Sequence, residues 1–155
     1  MLTNLRIENF VHIDKLELEF QDGFVAITGE TGAGKSVLVN AISFLCGRQA
    51  DEDFIKKDAQ DAIIEGVFEV ESSEFLGEGE KQLIIYRKIS RGKSGIARIN
   101  NQTVTLKKLK EITTPLINIC SQHEQQLLFD RAYQLELLDL FGQGDLALVL
   151  EQYKI

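Results

Sequence analysis

The stretch FVAITGETGAGKSVLVNAI, residues 24–42, constrains the chain more than any other. Its opening, FVAIT, is an uninterrupted apolar run of strand length, the pattern of a strand buried on both faces. From Lys35 the period lengthens to about 3.6, so that Leu38, Ala41, Ile42 and Leu45 fall on one stripe of a helix, with Gly47 as its stop. Between the two, Gly29-Glu30-Thr31-Gly32-Ala33-Gly34-Lys35-Ser36 fits the pattern G-x-x-x-x-G-K-[ST] in the strand-loop-helix setting that pattern requires. At ordinary residue frequencies its four fixed positions match by accident in roughly one chain of this length in two hundred, and the flanking elements make chance rarer.

Each part of this loop has a physical task. The glycines at 29, 32 and 34 let the backbone fold tightly and bring its N–H groups against phosphate oxygens. The helix that follows aims its positive end at the same point. A helix terminus contributes only about 0.3 to 1 kcal/mol to a nearby anion, whereas micromolar affinity requires about 8 kcal/mol. Several charge-assisted hydrogen bonds, at about 1.5 to 3 kcal/mol each, are needed to close that gap. Lys35 supplies a cation for the β and γ phosphates, and Ser36 offers its hydroxyl to Mg²⁺. The pattern therefore predicts a nucleotide cradle formed by residues 29–36.

Around the loop the periodicity is mostly that of strands. Leu5 and Ile7, then Leu16, Leu18 and Phe20, alternate with charged residues, and Asp22-Gly23 marks a turn. Further strands are expected at IIEGVFEV (63–70), QLIIYRKIS (82–90) and GIARINNQTVTL (95–106). The segment ESSEFLGEGEK (71–81) reads as an exposed, mobile loop. Asn100-Asn101 suits the positive-φ positions of a hairpin turn. A short helix is expected over Lys107–Thr113, ended by Pro115, then a buried strand at LINIC (116–120) and an amphipathic helix at RAYQLELLDLF, with Leu135 and Leu138 on one face. The last residues, from Asp145, read as a helix that has only begun.

With 155 residues, 44% of them apolar and 26% charged, the chain has enough material for one sizeable core. A formal net charge of −7 argues against general nucleic-acid affinity, so any such contact needs a local patch. Arg87, Lys88, Arg91, Lys93 and Arg98 cluster around the RGKSG turn, with Lys107, Lys108 and Lys110 on the next helix. They read equally well as a DNA-facing patch and as a solvated basic hairpin. Cys46 and Cys120 lack metal or disulfide spacing and read as buried free thiols. The amino terminus lacks a signal-peptide pattern and no apolar run reaches membrane-spanning length, so a cytoplasmic location without membrane attachment is expected.

Three segments together resemble one family. LRIENFVHIDKLELEF before the loop, TGETGAGKS within it, and LINICSQHEQQLLFDRAYQLELLDLFG after it are similar to the amino-terminal part of the RecN family of bacterial DNA double-strand-break repair ATPases, relatives of the structural-maintenance-of-chromosomes (SMC) proteins. GRQADEDFIKK and ARINNQTV extend the resemblance over nearly the whole chain. Two departures stand out: Cys120-Ser121-Gln122 where the family usually has His-Gly-Gln, and Asn100-Asn101 where it has Asn-Gly.

The resemblance implies an α/β P-loop NTPase of the ABC-type head class, its amino-terminal lobe an antiparallel β portion packed beside a parallel P-loop sheet. It implies ATP and Mg²⁺ as cofactors, and catalytic roles for Lys35 and for Gln122, which would reach Mg²⁺ and help place the attacking water. The adenine would lie near ENFVHI, making His12 and Phe10 candidate base contacts, although Phe10 reads better as core. The family also needs a signature segment and an acidic strand end. Neither is found in these residues, and Asp130 in LLFD sits too close to the glutamine segment for the second role. Residues 1–143 are thus expected to be half of a head and 144–155 the start of a coiled-coil helix. Hydrolysis would need the carboxy-terminal half and a head-to-head homodimer, with DNA as partner in the nucleoid.

Other readings compete. A small P-loop kinase would need an arginine-bearing lid, for which RGKSG is a thin candidate, and a non-catalytic module would use its sheet edges for binding. No Asn-Lys-x-Asp segment supports a guanine-nucleotide switch. His12 and His123 have no partners at metal-ligand spacing and read as solvated loop residues.

Overall fold

The computed structural model describes residues 1–29, 34–49, 51–71, 73–77, 79–117, 119, 134–135 and 138. The chain divides into two compact units, Met1–Ile119 and Cys120–Ile155. Gln122, His123, Cys120, Asp130, Glu30, Thr31, Gly32, Ala33 and the expected coiled-coil start at 144–155 lie outside the described residues.

The first unit is built on a six-stranded sheet in the order β2-β1-β3-β4-β5-β6. Its strands are β1 (Leu2–Phe10), β2 (Ile13–Glu19), β3 (Asp61–Glu69), β4 (Gln82–Ser90), β5 (Lys93–Ile99) and β6 (Gln102–Thr103), and every described pairing is antiparallel. Strict alternation turns Ala62, Ile64, Gly66 and Phe68 of β3 to one face, in register with Ile89, Arg87, Ile85 and Leu83 of β4. Helix α1 (Lys35–Leu45) covers that face with Leu38, Ala41, Phe44 and Leu45, all buried. The sequence stripe anticipated three of these four; Phe44 is the deep residue, and Ile42 only packs at the margin.

Helix α1 sits close to the sheet because residue 66 is glycine. A Cβ there would lie 2.4 Å from Leu45 Cδ2 and 3.3 Å from Leu2 Cδ1. Helix α2 (Leu106–Thr113) is capped by the Thr105 hydroxyl, which accepts from the Lys108 amide at 3.2 Å, and it buries Leu109.

The β5–β6 turn follows the expectation, with Asn100 and Asn101 at φ 43° and 66°. Asn100 does more than turn the chain. Its Nδ2 donates to the Phe75 carbonyl at 2.9 Å and its Oδ1 accepts from the Ile84 amide at 2.7 Å. Lys108 pairs with Glu74 at 2.6 Å, and Phe75 and Leu76 pack against the core. The segment expected to be a loose loop is therefore tied down at three described points, because two polar anchors and one aromatic hold it.

Two expected strands are not found among the described residues. Residues 24–28 carry no strand, and Phe24, Val25 and Ile27 are 94%, 51% and 51% exposed. An apolar run becomes a strand only when a neighbour supplies the ladder, and among the described residues none pairs with it. Leu116 lies in a turn, and Ile117 and Ile119 carry no strand either. In the second unit Gln134, Leu135 and Leu138 are helical as the spacing predicts. Leu135 and Leu138 are 61% and 69% exposed, so their shared face is not packed as expected.

Candidate functional site

The phosphate-loop motif is held by its two ends. Gly34, at φ 94°, adopts the left-handed conformation and forms the amino-terminal boundary of α1. The first turn of α1 has no side-chain cap and no acidic residue, and the Leu38 amide donates to the Gly34 carbonyl at 2.9 Å. Among the described residues, no side chain caps the positive pole of the helix. The Nζ of Lys35 donates to the Gly29 carbonyl, joining the first motif residue to the last but one. Ser36 is exposed beside it.

This arrangement fits a polyphosphate. It combines an uncapped helix terminus, a left-handed glycine and a lysine ammonium brought to the same place, with no carboxylate in the first turn of the helix to repel an anion. The cleft of about 390 Å³ on the outer face of β1, β2 and β3 is a poor alternative, since Glu17, Glu19 and Glu65 line it beside a single arginine, Arg6.

Other sequence candidates fall elsewhere. Phe10 is fully buried, stacked on Phe54 at 5.2 Å and 6.3 Å from Phe44, which makes it core. His12 is exposed in the β1–β2 turn, next to Val11, whose φ of 55° is strained for a β-branched residue.

Half of the basic cluster, Arg87, Lys88, Arg91 and Lys108, is engaged within the fold. Arg87 is 1% exposed inside the core. Arg91 donates to the carbonyls of Ala59, Ile55 and Lys56 at 3.1 to 3.3 Å. Lys88 pairs with Asp61 at 2.7 Å. Lys93, Arg98, Lys107 and Lys110 are the exposed members. Sequence reading grouped all eight by proximity, and only inward alternation on β4 could have separated Arg87.

Comparison with known proteins places this geometry. The profile described as AAA domain (AAA_23) matches residues 4–154. The chain belongs to this AAA-domain family. It is 34% identical to the DNA repair protein RecN of Bacillus subtilis and 38% identical to that of Halalkalibacterium halodurans, in each case over 99% of its own length. It spans only 28% and 29% of those relatives. The SMC head domain from Thermotoga maritima superposes with a TM-score of 0.58 at 25% identity, over 72% of this chain and 41% of that one. A chain solved in work on ATP-driven dimerisation and DNA-stimulated activation of SMC ATPases gives 0.69 at 22% identity, over 89% and 97%. The fold is that of an SMC-like P-loop ATPase head, and the antiparallel sheet is its described part.

Proposed function

We propose that residues 1–143 are the ATP-binding half of an SMC-like ATPase head acting in DNA double-strand-break repair, and that residues 144–155 open its coiled-coil helix. The observation that carries this reading is the closure of the motif, with Lys35 reaching back to Gly29 at the uncapped end of α1. Similarity to RecN over nearly the whole chain supports the repair assignment over the small-kinase reading.

In this reading, residues 29–36 wrap the phosphate chain with backbone amides, and Lys35 delivers its charge to the β and γ phosphates. Ser36 and Gln122 are the residues that would hold Mg²⁺, and Gln122 would also orient the attacking water. When bound, Mg²⁺ neutralises charge on the transferring phosphoryl group. A transferring phosphoryl group needs donors on more than one side. Turnover therefore awaits a carboxy-terminal half-head and pairing of two heads, and this chain alone binds ATP without turning it over. DNA is the partner of the longer protein, which would work at the cytoplasmic nucleoid.

Lys35→Ala tests the reading. Loss of one charge-assisted contact of about 1.5 to 3 kcal/mol lowers affinity for a labelled ATP analogue by about tenfold to a hundredfold, with the circular-dichroism spectrum unchanged. Equal affinity in the variant removes the loop from the account.

A further inference from the structure

Arg87 is the one fully buried cation among the described residues, and nothing in the nucleotide reading uses it. It points inward from the middle of β4, between Ile85 and Ile89. No described carboxylate pairs with it, and burial pulls the guanidinium down to about 10. Its Nη1 donates to the Phe44 carbonyl at 2.9 Å, its Nη2 reaches the Arg48 carbonyl at 3.5 Å, and its Cζ lies 4.0 Å from the Phe44 ring centre. The counter-charge for this cation is thus the negative carbonyl end of α1, the helix whose other end opens at the phosphate loop.

The same end of α1 is gripped from α2. Thr113 Oγ1 donates to the Cys46 carbonyl at 2.9 Å, and a Cβ on Gly47 would lie 3.2 Å from Lys110 Cβ. The amino-terminal end carries no side-chain cap, and α1 otherwise rests on the sheet through apolar contacts. Apolar contacts resist separation but hold a helix weakly against sliding along its axis, because dispersion is not directional. Hydrogen bonds to named carbonyls fix both the axial position and the rotation. Over 11 residues at about 1.5 Å each, a displacement at the carbonyl end is transmitted about 16 Å to the loop as a rigid-body shift.

We propose that Arg87 is a positioning residue for the phosphate loop: by holding the Phe44 carbonyl in the last turn of α1, and the Arg48 carbonyl just beyond the helix, it sets where the opposite end of that helix presents its donors. Burying a charge without an acidic partner is costly, and an apolar side chain would suit the flanking isoleucines better. The cost secures a fixed helix register. This inference rests on the nucleotide-binding reading of residues 29–36.

The test compares Arg87→Met, Arg87→Lys and Leu83→Ala in the intact chain. Leu83 is a buried residue on the same strand whose side chain makes no hydrogen bond to α1, so its truncation reports generic loss of stability. Binding of a labelled ATP analogue is measured at a temperature well below each variant's midpoint, alongside amide exchange of Leu38–Asn40, the first amides of α1 with acceptors inside the helix. Arg87→Met is expected to weaken binding about tenfold and to speed exchange at those amides, Leu83→Ala to do neither, and Arg87→Lys to recover most of the affinity.

Should Arg87→Met fail to fold, Arg87→Gln, which keeps a donor but loses the charge and the second contact, carries the decision, with affinity below that of Arg87→Lys supporting the proposal and parental affinity and exchange overturning it. Should the parent chain bind no ATP, the nucleotide reading fails separately. Faster exchange at Leu38–Asn40 then still supports the positioning role, and unchanged exchange overturns it. Equal effects of Arg87→Met and Leu83→Ala at matched loss of stability reduce Arg87 to ordinary scaffolding and overturn it as well.

Discussion

Replacing Gly66 with alanine probes how α1 is seated on the sheet. The added Cβ would lie 2.4 Å from Leu45 Cδ2, a separation that packed carbon atoms do not sustain, and 3.4 Å from Phe68 Cε2. Leu45 is fully buried, so either its side chain changes rotamer within the packed core or α1 shifts. Overpacking of this kind costs about 1 to 3 kcal/mol. Against it stands a gain of about 0.4 to 1 kcal/mol from a less flexible unfolded chain, provided the backbone suits alanine.

A net loss of about 1 to 2 kcal/mol is expected, read as a lower urea midpoint with an unchanged slope. Leu45→Ala alone removes a buried leucine and costs about 2 to 5 kcal/mol. Combined with Gly66→Ala it frees the room the new methyl needs. The double variant is therefore expected to be more stable than the sum of the two losses by at least about 0.5 kcal/mol. Strict additivity would refute the claim that these two residues set the helix–sheet distance.

Asn100→Gly keeps the left-handed turn but removes the amide that holds Phe75 and Ile84, whereas Asn100→Ala loses both. Glycine is expected to cost about 1 to 2 kcal/mol and alanine about 1 kcal/mol more, read by thermal unfolding, and equal losses would count against the conformational part. Arg91→Glu strips hydrogen bonds from three carbonyls and should lower the melting temperature, while Lys93→Glu, exposed, should leave it within about 2 °C; identical midpoints would contradict the structural role of Arg91. Burial pushes the Cys46 thiol up to about 11, above its ordinary 9.0, so the unfolded chain ionises first. Its contribution to stability is therefore complete below about pH 9 and lost as pH rises through about 11. In a Cys120→Ser background, Cys46 should resist a thiol reagent at pH 8 until denaturant is added, and prompt labelling of the folded chain would contradict this.

The local rules of the sequence accounted for most of the first unit. Alternation placed β1 to β5, the helical stripe placed α1, and Asn100-Asn101 marked a turn that the backbone angles bear out. What escaped were effects of partnership. The apolar run at 24–28 satisfies every local criterion for a buried strand, yet a strand also needs a lateral neighbour, and none is present among the described residues. The basic residues of β4 and its turn looked alike in one dimension. Only the pleat direction, together with the carbonyls left by the end of α1, separates buried Arg87 from paired Lys88. For the site, the motif itself was legible, and the structure adds the contact that closes it, Lys35 on Gly29.

The most direct test of nucleotide binding is competition against a labelled ATP analogue on this chain by ATP, ADP and adenosine, repeated on Lys35→Ala. The account predicts that ATP displaces the probe far better than adenosine and that Lys35→Ala loses most of this difference. Adenosine competing as well as ATP, or an unaltered profile in the variant, would contradict a cradle built for the phosphate chain.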